Sequence, residues 1–358
     1  MGPGPILQQE RTMTFDPKCM ATGIGSFPHQ DVSAACELIL KTTPEIPLWP
    51  QLASIDFREQ MEIQYSEGLP CVVLDEVKQR MYFDTSGDPT SELEKFYDNI
   101  VSENLEYFRI SPDFGRGIYE MEKRLSEKNL PSVKFFKSQV TGPITFGLAV
   151  VDENKRAIYY NDVFRDVLVK GITMKARWIL NKFKPFGYNQ ICFIDEPILS
   201  AFGSSTYVSL QRADVVGFLS EVVDAIHKED ALVGTHCCGN TEWPILIDAG
   251  INILSFDAFE YGETIGLYPE QIKKFLEDGG IIAWGIVPTS DKINQETPDS
   301  LVKKLKEKVK NLANKGIDEN LIWEKCLLTP SCGTGSLSME LSNKVFHSLS
   351  EVSRMLRQ

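Results

Sequence analysis

The sequence predicts one α/β domain, a single (β/α)8 TIM barrel that spans residues 1–358, with residues 1–20 as an N-terminal extension. Three observations favour this fold: the length of the chain, the alternation of short β-rich runs with longer amphipathic runs, and unusual polar residues that follow the β-rich runs. A chain of 358 residues exceeds the usual domain size but suits a (β/α)8 barrel with insertions. The 42% hydrophobic and 24% charged residues are typical of a globular protein with a full core.

Eight short β-rich runs are the candidate strands of the barrel. They lie at residues 22–26, 71–74, 134–140, 190–194, 231–235, 252–256, 281–286 and 326–329. Amphipathic helical patterns alternate with them, the clearest at residues 31–42, 91–108, 161–183, 211–228 and 340–357. Parallel strands joined by helices produce this order. Because no fixed-period repeat, low-complexity segment or interdomain linker interrupts it, one closed barrel is favoured over two domains.

The charge of the chain argues against nucleic acid as a partner. The formal net charge is −13, and Lys and Arg are scattered along helical patterns rather than gathered with aromatic residues. The densest lysine run, at residues 300–316, alternates with an apolar stripe and predicts a helix with one solvated face. No segment approaches the roughly 20 apolar residues of a membrane span, and the first residues lack the apolar core of a signal peptide. The sequence therefore predicts a cytoplasmic protein without a membrane partner.

Polar residues that can carry chemistry follow most of the candidate strands. They occur in IGSFPHQ after the first strand, in IDEP at the end of the fourth, and in THCCGN, SFDAFEYG, WGIVPTSD and TPSCGTGS at the ends of the last four. In a parallel barrel these carboxyl ends open on one face, which is where such barrels carry their active sites. Residues that are distant in sequence are therefore expected to converge there.

The candidate metal ligands are His236, Cys238 and Cys332. Cysteines in a reducing compartment that lie near His and acids favour a metal site over a disulfide framework. His236 and Cys238 are two residues apart at a strand end, and Cys332 follows another strand in a Gly-rich turn. Zinc prefers imidazole and thiolate ligands, and catalytic zinc sites keep one position open for substrate. Asp257 is either a further ligand or the cap of the following turn, and Cys237 competes with Cys238 because adjacent strand residues point to opposite sides.

Together these motifs resemble the cobalamin-independent methionine synthase family, specifically the catalytic barrel that forms the C-terminal half of its long enzymes. The matching residues, in order along nearly the whole chain, are Ile24, Gly25 and Ser26 in IGSFP, Asp195 in IDEP, His236 and Cys238 in THCCGN, Asp257 where the family usually has Glu, and Cys332 in TPSCG. The resemblance implies a catalytic zinc ion, Zn2+, held by the His-x-Cys pair, the acid and the late Cys. It also implies that the first motif and Asp195 bind homocysteine.

Four departures from the family pattern concern the half of the site that binds folate. Ala149 stands where family enzymes that use methyl-folate carry a Trp, and Ala201 stands where they carry a folate-contacting Glu. Ser290 stands where the family has an acid His, and we expect no counterpart of the N-terminal barrel that completes the folate site of the long enzymes. This combination resembles the short, single-barrel members of the family. It implies that the methyl group comes from a methyl-corrinoid carried on a protein.

The chemistry that the resemblance implies is methyl transfer to a zinc-bound thiolate. A free thiol has a pKa near 8.5 and is mostly protonated at neutral pH, and coordination to zinc removes that proton. Asp195 and Glu196 are expected to hold the ammonium group of the thiol substrate as fixed anions. The predicted function is therefore zinc-dependent methylation of homocysteine in methionine biosynthesis.

Three alternatives stay open. The wider superfamily includes uroporphyrinogen decarboxylase, which shares the barrel, needs no metal and requires basic residues at the barrel mouth, and the strand-end loops of this chain are not Arg-rich. A methyltransferase that acts on another thiol is the second alternative. A non-catalytic metal-binding or corrinoid-binding module is the third, and a zinc assay combined with a methyl-transfer assay separates it from an enzyme.

Overall fold

The structure, a computed structural model, describes residues 15–207 and 210–358 as an α/β fold. The strands of these ranges are β1 Met20–Ala21, β2 Val72–Asp75, β3 Arg80–Phe83, β4 Phe135–Thr141, β5 Asn189–Asp195, β6 Ala231–Cys237, β7 Ile253–Phe256, β8 Ile281–Val287 and β9 Cys326–Pro330. Their α-helices are α1 Val32–Thr42, α2 Thr90–Val101, α3 Arg116–Glu127, α4 Pro143–Ala149, α5 Asp162–Phe183, α6 Arg212–His227, α7 Trp243–Asp248, α8 Ala258–Tyr261, α9 Pro269–Glu277, α10 Pro298–Ala313, α11 Glu319–Glu324 and α12 Met339–Leu356.

Seven parallel strands form one curved sheet in the order β1-β9-β8-β7-β6-β5-β4. The last six predicted strands, from residues 134–140 to residues 326–329, are confirmed as β4 to β9. The first predicted strand is displaced, because β1 precedes residues 22–26 and pairs Met20 with Leu327 of β9. Consecutive strands from β4 to β9 pair as neighbours and are joined by helices. Their carboxyl ends therefore all lie along the same edge of the sheet.

The second predicted strand is wrong as a barrel strand. Residues 71–74 lie largely in β2, which pairs antiparallel with β3 in a separate two-stranded sheet. The connection between the two strands is only residues 76–79, and a connection this short joins antiparallel strands, whereas parallel strands need a long crossover. All of β2 is half-buried, whereas β4 of the main sheet is buried throughout.

The gap between β1 and β4 is occupied instead by residues 45–51. Leu48 pairs with Lys137 of β4, and Gln51 pairs with Ser26 beyond β1, each as a single parallel bridge. Three prolines within or beside this segment cannot donate to a ladder, so it forms isolated bridges rather than a strand. The predicted closed, eight-stranded barrel is therefore corrected: the described residues form a curved seven-stranded parallel sheet whose gap is spanned by an irregular segment.

An apolar plug fills the inside of the curved sheet at the amino-terminal ends of its strands. Its members are all buried and are Phe15, Met20, Ile46, Phe135, Ile191, Phe193, Leu232, Ile253, Ile281, Ala283 and Leu327. Phe15 and Met20 come from the end of the predicted N-terminal extension, and the ring centroids of Phe15 and Phe135 are 4.1 Å apart. The rest of that extension, residues 1–14, lies outside the described residues.

A second and larger apolar core lies between the sheet and the surrounding helices. Helix α10 illustrates how the sequence specifies this layer. Thr297 and Ser300 form a capping box at its start, and its apolar stripe is buried at Leu301, Val302, Leu305, Val309 and Leu312. The lysines between these positions are exposed or half-buried, which confirms the predicted solvated face. None of the described helices combines the length and the apolar character needed to cross a membrane.

Candidate metal centre

His236 lies near the carboxyl end of β6, between two polar residues of the neighbouring strands. Strand register pairs it with Asp195 of β5 and with Ser255 of β7. Its Nδ1 is 3.0 Å from Ser255 Oγ, while its Nε2 is buried and has no hydrogen-bond partner among the described residues. Burial, together with the positive charge of Lys137, lowers the pKa of His236 to about 3. The imidazole is therefore neutral at physiological pH, with one nitrogen oriented by Ser255 and the other able to bind a metal.

Two thiols meet His236 at the same end of the sheet. Ligand atoms of His236, Cys238 and Cys332 all lie within 4.8 Å of one another. Cys238 follows β6 directly, and Cys332 follows β9. A hydrogen bond from Cys332 lowers the pKa of Cys238 to about 7, and the same bond and burial raise the pKa of Cys332. The Cys332 thiol therefore stabilises the thiolate of Cys238, and a cation between the sulfurs would allow both to ionise.

This donor set fits zinc. One imidazole nitrogen and two thiolates are the ligands that Zn2+ prefers, and three protein ligands are the number found in catalytic zinc sites. The unpartnered Nε2 of His236 supplies an independent reason, because a buried polar atom without a partner is costly unless a ligand or water satisfies it.

The turn that carries Cys332 is held against the loop after β1. Thr334 donates from its backbone N to Ser26 O at 2.8 Å, and Gly335 N donates to Ser26 Oγ at 3.3 Å. A Cβ at position 333 would lie 2.1 Å from Ser26 Oγ, so Gly333 is required for this close approach. The predicted motif of Ile24, Gly25 and Ser26 is thus next to the predicted metal centre.

Cys237 and Asp257 lie outside the group of converging ligand atoms. Cys237 belongs to the core between sheet and helices, its Sγ is 3.8 Å from Gly239 O, and burial raises its pKa to about 12. Asp257 caps α8 by accepting from Glu260 N at 2.9 Å, which is the capping role considered from the sequence. Burial raises the pKa of Asp257 to about 6. The negative charge of Asp257 in turn acts to raise the pKa of Cys238. Its role as a ligand stays a prediction.

The two acids of the IDEP motif have different surroundings. Asp195 Oδ1 is buried without a hydrogen-bond partner among the described residues, and it faces the inside of the sheet two positions beyond Phe193 of the apolar plug. Burial raises the pKa of Asp195 to about 7, while the charge of Lys137 opposes that shift. A buried carboxylate with a free oxygen is a candidate acceptor for a cationic substrate group.

Glu196 is engaged with the start of helix α4. Its carboxylate accepts from Ile144 N at 3.0 Å, from Thr145 N at 2.7 Å and from Thr145 Oγ1 at 2.6 Å. A Cβ at Gly142 would lie 2.1 Å from this carboxyl group, so the contact requires glycine there. Burial nevertheless raises the pKa of Glu196 to about 7. Glu196 therefore holds the start of α4 against the end of β5. Its contact with the substrate ammonium stays a prediction.

Lys137 is the site-facing residue that sequence reasoning missed. It is fully buried in the middle of β4, and its Nζ donates to Ile24 O at 2.6 Å. The available signal was a charged residue inside a predicted strand, directly after two phenylalanines. The alternation of β4, whose Phe135 belongs to the apolar plug, places Lys137 on the inner face.

The three residues that depart from the family pattern lie at the periphery. Ala149 is exposed at the end of α4, and Ala201 is half-buried in the turn after β5. Ser290 is exposed after β8, where its side chain accepts from Lys292 N. These three positions offer neither an aromatic ring, nor a carboxylate, nor an imidazole.

Comparison with known proteins finds likeness only among solved structures. No protein-family model matches the chain, and no curated protein matches it in sequence. The chain is similar to a B12-independent methionine synthase from Shewanella sp. W3-18-1 in complex with selenomethionine, at 15% identity and a TM-score of 0.47, over 67% of this chain and 66% of that one. It is also similar to a modular endo-beta-1,4-mannanase from Cellulomonas fimi, of glycoside hydrolase family 26, at 12% identity and a TM-score of 0.26, over 60% and 62%. Neither likeness is strong enough to argue for a function.

Proposed function

We propose that this protein is a zinc-dependent methyltransferase that methylates the thiol of homocysteine to give methionine, with a methyl-corrinoid borne on a partner protein as the donor. The observation that carries the proposal is the convergence of His236, Cys238 and Cys332 beside Asp195, at the carboxyl ends of parallel strands. Zinc held there by His236, Cys238 and Cys332 would act as a Lewis acid and lower the pKa of a coordinated thiol, so that the sulfur would be presented as a thiolate.

The charge of the ligand set favours alkyl transfer over hydrolysis. The thiolates of Cys238 and Cys332 together cancel the two positive charges of Zn2+, and the carboxylate of Asp257 lies close to Cys238. A site without net positive charge is a weak activator of water and leaves electron density on a bound sulfur. In a direct displacement the sulfur would bond to the methyl carbon as the bond from that carbon to the corrinoid cobalt breaks, with the electron pair of the broken bond left on the cobalt. The step needs electron density on the sulfur and alignment of the sulfur, the methyl carbon and the cobalt.

The residues of the chain orient and hold the acceptor. Ser255 fixes the ring of His236, and the hydrogen bonds of Ser26 fix the turn that carries Cys332. Asp195 offers a buried, unpartnered carboxylate oxygen to an ammonium group. An acceptor with a thiol at one end and an ammonium group at the other therefore matches the two ends of this site, and homocysteine is such a molecule.

The donor assignment depends on the folate-binding residues that are absent from the chain. Ala149 and Ala201 give a pterin neither a stacking ring nor a carboxylate partner. A corrinoid borne on a protein is large, so it needs an accessible barrel mouth rather than an enclosing pocket. The thiolate ligands require reducing surroundings, so the proposal implies a cytoplasmic enzyme.

Methionine formation from alternative donors tests the proposal. Zinc-loaded protein is mixed with homocysteine and methylcobalamin, a methylated corrinoid protein or methyl-tetrahydrofolate, and methionine is measured. We expect methionine with the corrinoid donors and none with methyl-tetrahydrofolate. The Cys238→Ser variant is the inactive control, and cysteine and 2-mercaptoethanol serve as competing acceptor thiols.

Three outcomes of this assay would contradict parts of the proposal. Turnover with methyl-tetrahydrofolate that equals or exceeds turnover with the corrinoid would refute the donor. Faster methylation of another thiol would refute homocysteine as the acceptor. Absence of methyl transfer from every donor to every thiol would refute the enzymatic function itself.

A further inference from the structure

Lys137 lies at the border between the apolar plug and the polar carboxyl ends of the strands. Its exposed fraction is 0%, and every other residue of β4 is buried as well. A buried ammonium group is unfavourable unless it is hydrogen-bonded and faces negative charge. The contacts of Lys137 therefore indicate why a charged residue is placed there.

Two polar contacts and one ring surround the Lys137 ammonium group. Its Nζ donates to Ile24 O at 2.6 Å and lies 3.4 Å from Gln139 Oε1. It also lies 4.4 Å from the ring centroid of Phe193, at the top of the apolar plug. The strongest contact is thus with the first residue of the Ile24, Gly25 and Ser26 motif, whose last residue holds the Cys332 turn.

Lys137 is also the positive charge that acts on Asp195. Burial lowers the pKa of Lys137 and raises that of Asp195, and in each case the charge of the other residue opposes the shift. Asp195 Oδ1 nevertheless has no hydrogen-bond partner among the described residues, so the interaction leaves that oxygen free. Lys137 thus compensates the charge of Asp195 without occupying its acceptor oxygen.

We propose that Lys137 is a positioning residue of the acceptor site, which fixes the loop of Ile24 to Ser26 through the Ile24 carbonyl and balances the buried charge of Asp195. The inference rests on the proposed function and names one part of its machinery. Lys137 acts through these two neighbours and does not touch the reacting atoms. Its hydrogen bonds reach Ile24 and Gln139 and none of the three metal ligands, so we expect its removal to weaken acceptor binding and to leave the zinc bound.

The chain offers a matched control in Lys175. This lysine of α5 is also 0% exposed, and its Nζ donates to two backbone carbonyls, Glu67 O at 2.6 Å and Phe108 O at 3.3 Å. Neither Glu67 nor Phe108 belongs to the strands that carry the metal centre. A general effect of removing a buried ammonium group should therefore appear in both variants, whereas an effect on the acceptor site should appear only at Lys137.

The test is calorimetric binding of homocysteine to the zinc-loaded wild type and to the Lys137→Met, Lys175→Met, Asp195→Asn and doubly substituted Lys137→Met/Asp195→Asn proteins. Zinc content and thermal unfolding are measured on each. We expect Lys137→Met to weaken homocysteine binding at least about tenfold, or 1.4 kcal/mol, at unchanged zinc content. Lys175→Met should bind homocysteine like the wild type. Asp195→Asn should cost less affinity in the Lys137→Met background than in the wild type, because coupled residues are not additive.

The outcomes separate this inference from the proposed function. Wild-type protein that holds zinc but binds no homocysteine would refute the proposed acceptor, and the role of Lys137 with it. Homocysteine binding that is equal in the wild type and Lys137→Met, or equally weakened in Lys175→Met, would refute the role of Lys137 alone. If Lys137→Met does not fold, Lys137→Gln, which keeps an N–H donor but lacks the charge, replaces it with the same expected loss.

Discussion

The two ends of the space inside the curved sheet differ in their chemistry. At the amino-terminal ends of the strands, the apolar plug consists of buried side chains without charge. At the carboxyl-terminal ends, the inward-facing positions of β4, β5, β6 and β9 carry polar residues instead. These positions include polar atoms that are buried without a hydrogen-bond partner among the described residues: Thr141 Oγ1, Asp195 Oδ1, His236 Nε2 and Thr329 Oγ1.

The same strands thus serve two purposes: their amino-terminal ends stabilise the fold, and their carboxyl-terminal ends are available to bind a ligand. Apolar burial at the plug stabilises the fold, since removal of apolar surface from water is the main favourable term in folding. Unpartnered polar atoms do the opposite, because each costs about 1–3 kcal/mol when it is buried without a partner. Such atoms are retained where a ligand or an ordered water satisfies them, so their convergence at the polar end supports the proposal that the acceptor binds there.

Truncation in the apolar plug should have the largest effect on stability. Ile191 is fully buried there, and Ile191→Ala removes apolar contacts and leaves a cavity. We expect the free energy of unfolding to fall by about 2–4 kcal/mol. Urea denaturation measures it. Zinc per folded chain should stay as in the wild type, and loss of zinc from the folded variant would show that the two ends are not separate in function.

A substitution at the polar end should have a small effect of opposite sign. Thr329→Val replaces a buried, unpartnered hydroxyl group by a methyl group of similar size. We expect the metal-free protein to keep its free energy of unfolding or to gain up to about 1 kcal/mol, because no hydrogen bond is lost. The same urea denaturation measures this change. A loss of more than about 1 kcal/mol would mean that the hydroxyl group stabilises the fold and is not reserved for a ligand.

The sequence was sufficient to predict most of the sheet and the converging site residues. Strands β4 to β9 have buried, β-rich runs separated by amphipathic helices, and both patterns are local. The convergence of His236, Cys238 and Cys332 followed from one further rule, that the carboxyl ends of parallel strands open on one side. Long-range proximity was therefore predictable wherever it depended on topology alone.

Features that depend on tertiary contacts were not predictable in this way. Residues 45–51 occupy a strand position although their prolines disfavour a ladder, because bridges to Ser26 and Lys137 hold them there. The hydrogen bonds of Glu196 to the start of α4 were not foreseen, because they join residues 52 and 51 positions apart in the sequence. The hydrogen bond of Lys137 was likewise not predictable, because its acceptor, Ile24 O, is 113 positions away in the sequence.

The measurement that tests the central claim most directly is the zinc content of the purified protein and two cysteine variants. The account predicts about one zinc per chain in the wild type and loss of most of it in Cys332→Ser. Cys237→Ser is the matched control, because Cys237 is adjacent to Cys238 but lies outside the converging group. It should keep its zinc. Full zinc occupancy in Cys332→Ser, or loss of zinc in a folded Cys237→Ser protein, would contradict the assignment of His236, Cys238 and Cys332 as the metal centre.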